Sequence, residues 1–278
     1  MVAAQGRRAS AEVLPPDAWI GALIARHTSA FARPEFLKAV RALSSRYVEN
    51  RAALPSRSPL DSAGKRAAFA GFYAPLHYLT MRAIVRGLRA APDITRLVDL
   101  GCGTGVAAAA WADVLPAPPA IRGVDHSVWA LDEMRWNCQQ LGLPCRTHRA
   151  SLVDYLERET ANARRSPLAG TGLVCGWSIN ELSHDERSRT LAALLTLHKS
   201  GACVLIVEPI ASSAVPWWTS WRASIEAAGG RSDEWRFPAE LPDILAELDE
   251  AAGFRRDHLT ARSFWLGPDA ATGTTGMA

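Results

Sequence analysis

The feature that most constrains the fold is a glycine-rich turn between a short apolar run and an alanine-rich run. Leu97, Val98 and Leu100 are typical of a buried parallel strand, and residues Val106 to Ala112 are typical of a helix. Glycine permits backbone angles that other residues avoid and lets a ligand approach the chain closely. The stretch therefore predicts a strand–turn–helix unit of the kind that binds nucleotides.

An acidic residue at the tip of this strand indicates which nucleotide the turn favours. Asp99 would repel a pyrophosphate, whereas it would attract a cofactor that carries an ammonium and a sulfonium group and no phosphate. The dinucleotide fingerprint also needs a third glycine at position 106, which is Val106 here. A nicotinamide-dependent oxidoreductase is therefore disfavoured.

The turn resembles the first motif of the class I S-adenosylmethionine-dependent methyltransferases, which runs acid-x-Gly-x-Gly-x-Gly. The residues that match it are Asp99, Gly101, Gly103 and Gly105. Twenty residues after Gly105, the run Ala120 to Asp125 predicts a second strand that ends in an acid. The resemblance covers roughly residues 97–209, and it implies S-adenosylmethionine as the cofactor.

The resemblance also implies a role for the residues at the predicted strand tips. Asp99 should face the methionyl ammonium, directly or through water, and Asp125 should accept both ribose hydroxyls. The other expected cofactor contacts are Gly101, Cys102, Gly103 and Gly105 in the turn, His126 and Ser151 or Leu152 beside the adenine, and Trp177 and Ser178 beneath the methyl group. For Ser151 a plain helix cap is an alternative, and both roles can hold together.

Acceptor chemistry is expected in the segment after the fourth predicted strand, Gly176 to Leu182. Methyl transfer from a sulfonium is an in-line displacement, so a protein base helps only when the acceptor must lose a proton. Asn180 and Glu181 are candidates to bind or deprotonate the acceptor. The alternative is that they shape the turn and cap the next helix.

Tryptophan is over-represented, with 10 residues in a chain of 278. Three of these tryptophans, three ring side chains of the predicted N-terminal helices and Glu208 form a candidate acceptor pocket. Tyr73 and His77 of this set are also catalytic candidates. The aromatic set comprises Trp217, Trp218, Trp221, Tyr73, His77 and Tyr78. The alternative is that they pack the N-terminal helices onto the sheet, and a lone His77 on an apolar helix is more often a core residue. Lys65 and Arg66 would either contact an anionic substrate or form a solvated helix end.

Two short motifs are similar to those of a methyltransferase-like family associated with the small ribosomal subunit. They are Asn180-Glu181-Leu182 and Val207-Glu208-Pro209. Members of that family also carry a C-terminal cysteine cluster thought to hold an iron–sulfur centre. This chain has no cysteine after Cys203, which weakens any transfer of ribosomal function.

Composition excludes several other classes of protein. Hydrophobic residues make up 48% of the chain and charged residues 21%, which is typical of a soluble globular protein. The net charge of +3 is too small to indicate a nucleic-acid partner. The five cysteines include no C-x-x-C pair, so neither a disulfide framework nor a metal site is predicted. No apolar run approaches the ~20 residues that span a bilayer, so the cytoplasm is the expected compartment.

The order of predicted elements indicates an α/β fold with a doubly wound, Rossmann-like parallel sheet. We predict a helical lid or appendage over residues 1–90, the methyltransferase domain over 91–267 and a flexible tail over 268–278. Pro34 should separate two helices, and Pro75 should kink or split the helix 65–88. Residues 1–16 are expected to be disordered, 56–62 and 164–171 to be loops, and 254–266 to supply one or two last strands.

The predicted function is methyl transfer to nitrogen or oxygen of a small, planar or aromatic molecule, with the N-terminal helices as a lid. Two alternatives stay open. One is a methyltransferase that acts on ribosomal RNA or a ribosomal component, although nucleic acid is not favoured. The other is a non-catalytic assembly module that binds S-adenosylmethionine. The sequence does not determine the oligomeric state.

Overall fold

The computed structural model describes residues 13–49, 60–90, 93–163 and 167–268. Seven strands form one sheet in the order β3-β2-β1-β4-β5-β7-β6, in which only β7 runs against the others. The strands are β1 (Arg96–Leu100), β2 (Ala120–Asp125), β3 (Cys145–Arg149), β4 (Thr171–Gly176), β5 (Cys203–Glu208), β6 (Arg231–Pro238) and β7 (His258–Leu266). The predicted fold class is confirmed.

Helices cover both faces of the sheet, as a parallel sheet requires. They are α1 (Pro16–Thr28), α2 (Arg33–Glu49), α3 (Ala63–Ala68), α4 (Ala74–Leu88), α5 (Val106–Ala112), α6 (Val128–Gln140), α7 (Leu152–Ala163), α8 (His184–Lys199), α9 (Trp218–Ala227) and α10 (Asp243–Ala252). One buried cluster packs helices α1, α2, α3, α4, α5, α6 and α10 against one face of the sheet. A second packs α7, α8 and α9 against the opposite face. Strand β5 is buried along its whole length between these clusters, as its unbroken apolar sequence predicts.

The predicted kink at Pro75 is a π-helical turn. Residues Phe69–Tyr73 form this turn between α3 and α4, and the amide of Ala74 donates to the carbonyl of Phe69. Proline lacks an N–H group and its ring crowds the preceding helical turn, so a wider turn before Pro75 relieves both problems. Pro34 lies at the start of α2, where a proline is tolerated, so the predicted break before it is confirmed.

The N-terminal helices are held to the sheet domain by polar contacts as well as by apolar packing. Trp19 is fully buried, and its indole N–H donates to the Asn137 side chain of α6 at 2.9 Å. Glu133, also on α6 and almost fully buried, accepts hydrogen bonds from Arg26 and His27 of α1. These pairs fix α1 against α6, because a buried carboxylate is stable only when partners satisfy it.

The prediction of one or two last strands in residues 254–266 is confirmed with one strand, but an earlier strand was missed. Residues 254–266 supply only β7, whereas β6 lies earlier, at Arg231–Pro238, and α10 separates the two. Alternate residues of β6 are exposed, as in an edge strand with one face in water. Charged residues make this segment polar on average, and this hid its strand pattern.

Several predicted loops and disordered stretches lie outside the described residues. They are residues 1–12 of the predicted disordered segment 1–16, 56–59 of the predicted loop 56–62, 164–166 of the predicted loop 164–171 and 269–278 of the predicted tail. Residues 50–55 and residues 91–92 at the predicted domain boundary also lie outside, whereas Pro16 begins α1. In the part of the chain that the structure describes, no helix combines the length and apolarity needed to cross a membrane.

Candidate functional site

A cavity of about 790 Å³ opens at the carboxyl ends of the central strands. This is where ligands bind in open α/β sheets. One part of its wall, here called the glycine-turn side, comprises Gly101–Thr104, Asp125–Ala130 and Arg149–Val153. The other part, here called the helical side, comprises Leu60, Arg66, Phe69, Tyr73, His77, Gly176–Ser178, Asn180–Leu182, Glu186, Glu208 and Pro209, and Val106 and Ala107 at the start of α5 complete the wall.

The glycine turn requires its glycines for conformation and for space. Gly101, Gly103 and Gly105 have φ angles of 67°, 49° and 78°, in the left-handed region. A Cβ atom on Gly101 would lie 2.6 Å from the Cβ atom of Ser178, so the turn and the segment after β4 touch there. Gly101, Cys102 and Gly103, the predicted backbone contacts of the cofactor, line the cavity.

Gly105 has a different place from the one predicted. Gly105 is not one of the described residues that line the cavity, and a Cβ atom on it would lie 2.4 Å from Cγ of Met134. Gly105 therefore serves the close packing of the turn on α6 and does not reach the ligand space. Val106, the residue that breaks the dinucleotide fingerprint, does line the cavity.

Asp125 lies at the tip of β2 with its carboxylate in the cavity wall. One oxygen accepts the N–H of Gly103 at 3.0 Å, and the other accepts the N–H of Ser127 at 2.8 Å. These two backbone donors fix the carboxylate beside the glycine turn, and the side chain remains 12% exposed. An oriented, accessible carboxylate of this kind can accept two hydroxyl groups of a ligand.

Asp99 is buried behind the glycine turn and does not belong to the described cavity wall. One carboxylate oxygen accepts the N–H of Ala108 at 3.1 Å, while Oδ1 has no hydrogen-bond partner in the described part of the chain. Burial raises the pKa of Asp99 to about 8, with a further contribution from the nearby charge of Asp125, although the hydrogen bond from the N–H of Ala108 acts to lower it. A positive charge in the cavity would favour the ionised form of this group.

The residues predicted beside the adenine line the glycine-turn side of the cavity. His126 is largely exposed at the mouth, and Leu152 is buried at the start of α7. Ser151 is both a wall residue and a helix cap, because its hydroxyl accepts the N–H of Asp154 at 3.1 Å.

On the helical side, the π-helical turn and α4 project aromatic residues into the wall. The His77 imidazole stacks on Trp177, with ring centroids 3.9 Å apart and planes at 6°. Burial, assisted by the charge of Arg256, lowers the pKa of His77 to about 3, so the ring is neutral at physiological pH. Trp177 holds a left-handed backbone, with φ at 56°, and donates its N–H to the carbonyl of Val207 at 2.8 Å. Such strain is often found at functional sites.

Glu208, at the tip of β5, holds the short 3₁₀ turn Ile179–Glu181. It has no exposed surface, and its two oxygens accept the N–H of Ile179 at 2.9 Å and the amide of Asn180 at 2.8 Å. The Asn180 carbonyl oxygen in turn accepts the indole N–H of Trp217 at 2.9 Å. Both ends of the Asn180 amide are therefore engaged within the protein, so Asn180 shapes the turn.

Glu181, the other candidate of this turn, differs from Asn180. Its carboxylate has no hydrogen-bond or ion-pair partner within the described residues, and its side chain is exposed where it lines the cavity. The protein that encloses the cavity desolvates this carboxyl although solvent still reaches it, and this desolvation, with the negative charge of Asp125, raises the pKa of Glu181 to about 7. Of the two candidates, Glu181 is the one able to exchange a proton with a ligand.

The predicted aromatic pocket is corrected. Trp217, Trp218 and Trp221 pack in the cluster with α7 and α8, and none of them belongs to the described cavity wall. Trp218 stacks on Phe264 with centroids 3.7 Å apart. The three lie across the sheet from the N-terminal helices because α9 covers the opposite face, so they cannot form one pocket with Tyr73 and His77.

Of the remaining aromatic and basic candidates, some line the cavity and others lie outside its described wall. Tyr78 is fully buried and packs on Trp19, outside the described wall, whereas Tyr73 lines the cavity and donates its hydroxyl to the carbonyl of Val40 at 3.2 Å. Lys65 pairs with Asp61 at 2.8 Å, while Arg66 joins the cavity wall and lies over the Trp129 ring.

Sequence reasoning missed Phe69 and Arg149, which also line the cavity. Phe69 precedes Tyr73 and His77 at intervals of four residues, and this spacing could have identified it. Arg149 ends β3, and its side chain donates to the carbonyl of His126 at 3.3 Å. No local sequence signal distinguishes it from a solvated strand end.

No protein-family model and no curated protein matches the chain. Solved structures do match it. The mitomycin 7-O-methyltransferase MmcR is similar at 15% identity over 92% of this chain and 74% of its own, with a TM-score of 0.49. A SAM-dependent methyltransferase from Agrobacterium tumefaciens is similar at 15% identity over 70% of this chain and 63% of its own, with a TM-score of 0.45. A SAM-dependent methyltransferase from Geobacter sulfurreducens, in complex with S-adenosyl-L-homocysteine, is similar at 17% identity over 68% of this chain and 90% of its own, with a TM-score of 0.39.

Proposed function

We propose that this chain is an S-adenosylmethionine-dependent methyltransferase that acts on nitrogen or oxygen of a small, planar molecule. The observation that supports this most is the cavity wall around Asp125. A carboxylate fixed by Gly103 and Ser127 lies in the same wall as the turn residues Gly101, Cys102 and Gly103.

The residues present fit this cofactor. Asp125 would accept the ribose hydroxyls, the backbone of Gly101 to Gly103 would contact the methionyl part, and Ser151 and Leu152 would border the adenine. The cavity wall contains the carboxyl groups of Asp125, Glu181, Glu186 and Glu208 against the guanidinium groups of Arg66 and Arg149. This excess of acids favours a cationic ligand over a phosphate-bearing one.

When bound, the cofactor supplies a methyl group on positively charged sulfur, already activated for displacement. The protein therefore has to align the acceptor and exclude water. The helical side encloses the acceptor space, and Glu181 is available to take the proton that an N–H or O–H acceptor loses. Its raised pKa makes it a better base near neutral pH than an ordinary carboxylate.

Calorimetry with S-adenosylhomocysteine and with NAD⁺ tests the cofactor. We expect S-adenosylhomocysteine to bind and NAD⁺ not to bind, because a pyrophosphate would meet the acidic wall. Tight binding of NAD⁺ alone would contradict the proposal. Binding of S-adenosylhomocysteine without methyl transfer to any member of a broad acceptor library would instead favour the non-catalytic assembly module.

A further inference from the structure

The helical side of the cavity contains a polar ring that the proposed cofactor roles do not use. His77 lines the cavity, and its ring nitrogens have no hydrogen-bond partner among the residues that the structure describes. Its orientation is nevertheless fixed, because one face stacks on Trp177 and the Phe69 ring meets it nearly edge-on at 6.0 Å. His77 is half-buried, so a ligand in the cavity can reach the exposed part of this fixed ring and form a hydrogen bond with it.

The imidazole presents a defined pair of hydrogen-bonding atoms. A neutral imidazole has one donor and one acceptor nitrogen, and the low pKa of His77 keeps it in this form. It therefore cannot act as a cationic receptor for an anion. It suits a ligand group that both donates and accepts, such as a phenolic or enolic O–H or a ring N–H.

The rest of this wall favours a flat ligand without negative charge. Phe69 and Tyr73 lie beside His77 on the π-helical turn and offer aromatic surface. Glu181, Glu186 and Glu208 contribute carboxyl groups to the same side. The Nε–H of its one guanidinium, Arg66, donates to the carbonyl of Leu60 at 3.1 Å, and the group also lies 5.7 Å from the Trp129 ring centre. Arg256 acts on His77 from outside the described wall and is paired with Asp249, so an anionic acceptor would meet more repulsion than attraction from the wall itself.

We propose that the wall formed by Phe69, Tyr73 and His77 binds an uncharged, planar, protic acceptor, with His77 as the specificity-determining residue that hydrogen-bonds its O–H or N–H group. This inference rests on the proposed function, since it names the class of acceptor for the same cavity. It favours a phenol-like or azole-like molecule over a nucleic-acid strand.

Three probes of one shape test the inference. 2-Naphthol is neutral and protic, 2-methoxynaphthalene is neutral without the proton, and 2-naphthoate is anionic. Binding of each to the full chain is measured by calorimetry and by ligand-observed NMR, with and without saturating S-adenosylhomocysteine. We expect 2-naphthol to bind about tenfold more tightly than either analogue, the size of one hydrogen bond made inside a protein.

The variant His77→Phe keeps a ring on Trp177 and removes both nitrogens. It should abolish the preference for 2-naphthol over 2-methoxynaphthalene and leave the affinity for S-adenosylhomocysteine unchanged. His184→Phe, at an exposed histidine that begins α8 outside the described wall, is the matched control and should keep the preference.

Equal or tighter binding of 2-naphthoate would overturn the inference, as would an unchanged preference in His77→Phe. A single-stranded RNA that binds when 2-naphthol does not would overturn it in favour of a nucleic-acid acceptor. Failure of S-adenosylhomocysteine to bind would contradict the proposed function, and the titrations without it would still report separately on the His77 wall.

Discussion

The two sides of the cavity are built in different ways. The glycine-turn side comes from strand tips and helix starts within residues 101–153, and backbone N–H groups hold its carboxylate in place. The helical side joins distant parts of the chain through side chains, as in the His77–Trp177 stack and the Asn180–Glu208 hydrogen bond. A local backbone motif can be identified from sequence, whereas a wall of distant side chains exists only after folding.

The comparison also separates the two chemical tasks. On the glycine-turn side, two backbone donors fix the Asp125 carboxylate in the cavity wall, whereas the buried hydroxyl of Thr104 has no partner among the described residues. The helical side carries two groups without described partners, the His77 imidazole and the Glu181 carboxylate. A carboxylate held by the backbone suits the binding of a constant cofactor, whereas the imidazole and carboxylate of the helical side can form hydrogen bonds with an acceptor.

The largest expected effect concerns the glycine-turn side. Asp125→Ala should weaken S-adenosylhomocysteine binding by about a hundredfold, because hydrogen bonds to a charged group contribute roughly 1.5–3 kcal/mol each. Calorimetry measures this. Asp132→Ala, at an exposed aspartate of α6, is the control and should bind normally. Equal affinities in the two variants would remove Asp125 from the cofactor site.

The next effect is a pH dependence from Asp99. With its pKa at about 8, this group is protonated in the free protein at neutral pH, whereas a ligand ammonium favours the carboxylate. Binding should therefore release a proton, and affinity for S-adenosylhomocysteine should rise by up to about tenfold per pH unit from pH 6 to 8, then level off. Calorimetry across this range should find that the affinity of Asp99→Asn does not rise with pH. The same slope of affinity against pH in both proteins would contradict the assignment of this pH dependence to Asp99.

Third, the contact between the two sides can be tested at Gly101. Gly101→Ala combines left-handed backbone strain with a clash on Ser178, and should reduce the free energy of unfolding by about 2–3 kcal/mol. Gly229→Ala has a similar positive φ of 84° but nothing within 4 Å of the added Cβ, so it should cost only about 1–2 kcal/mol. Denaturant unfolding compares them, and equal losses would show that the contact is unimportant.

Fourth, Glu208→Gln tests the hydrogen-bond chain on the helical side. Whichever way the new amide turns, two donors then face each other, at Ile179, Asn180 or Trp217, which should cost about 1–3 kcal/mol of unfolding free energy. The freed turn should also let the pKa of Glu181 fall toward its usual value. Carboxyl ¹³C NMR follows that pKa, and the exposed Glu240→Gln is the control. An unchanged pKa would mean that Glu208 does not position Glu181.

The smallest effect concerns the tryptophans that the sequence placed in the pocket. Trp218→Phe should lower the free energy of unfolding by about 1 kcal/mol, a typical value for a single substitution. Because Trp218 lies on the far face of the sheet, the affinity for 2-naphthol should not change. A tenfold loss of that affinity would restore the predicted tryptophan pocket.

Much of the glycine-turn side was predictable. The apolar run of β1, the helix cap at Ser151 and the acid at the tip of β2 are local signals, and the structure has them where predicted. The misplaced elements share a different property. Strand β6 has one face in water, and Trp218 stacks on the distant Phe264, so tertiary packing determined both.

The sequence by itself determined the parallel sheet, the glycine turn and the acids at two neighbouring strand tips, because backbone conformation and hydrophobic period act over a few residues. Only the tertiary structure decided between Asn180 and Glu181, brought His77 onto Trp177 and turned the tryptophans of α9 away from the cavity. Those outcomes depend on which distant groups satisfy one another's hydrogen bonds and fill one another's volume, and no local pattern records that.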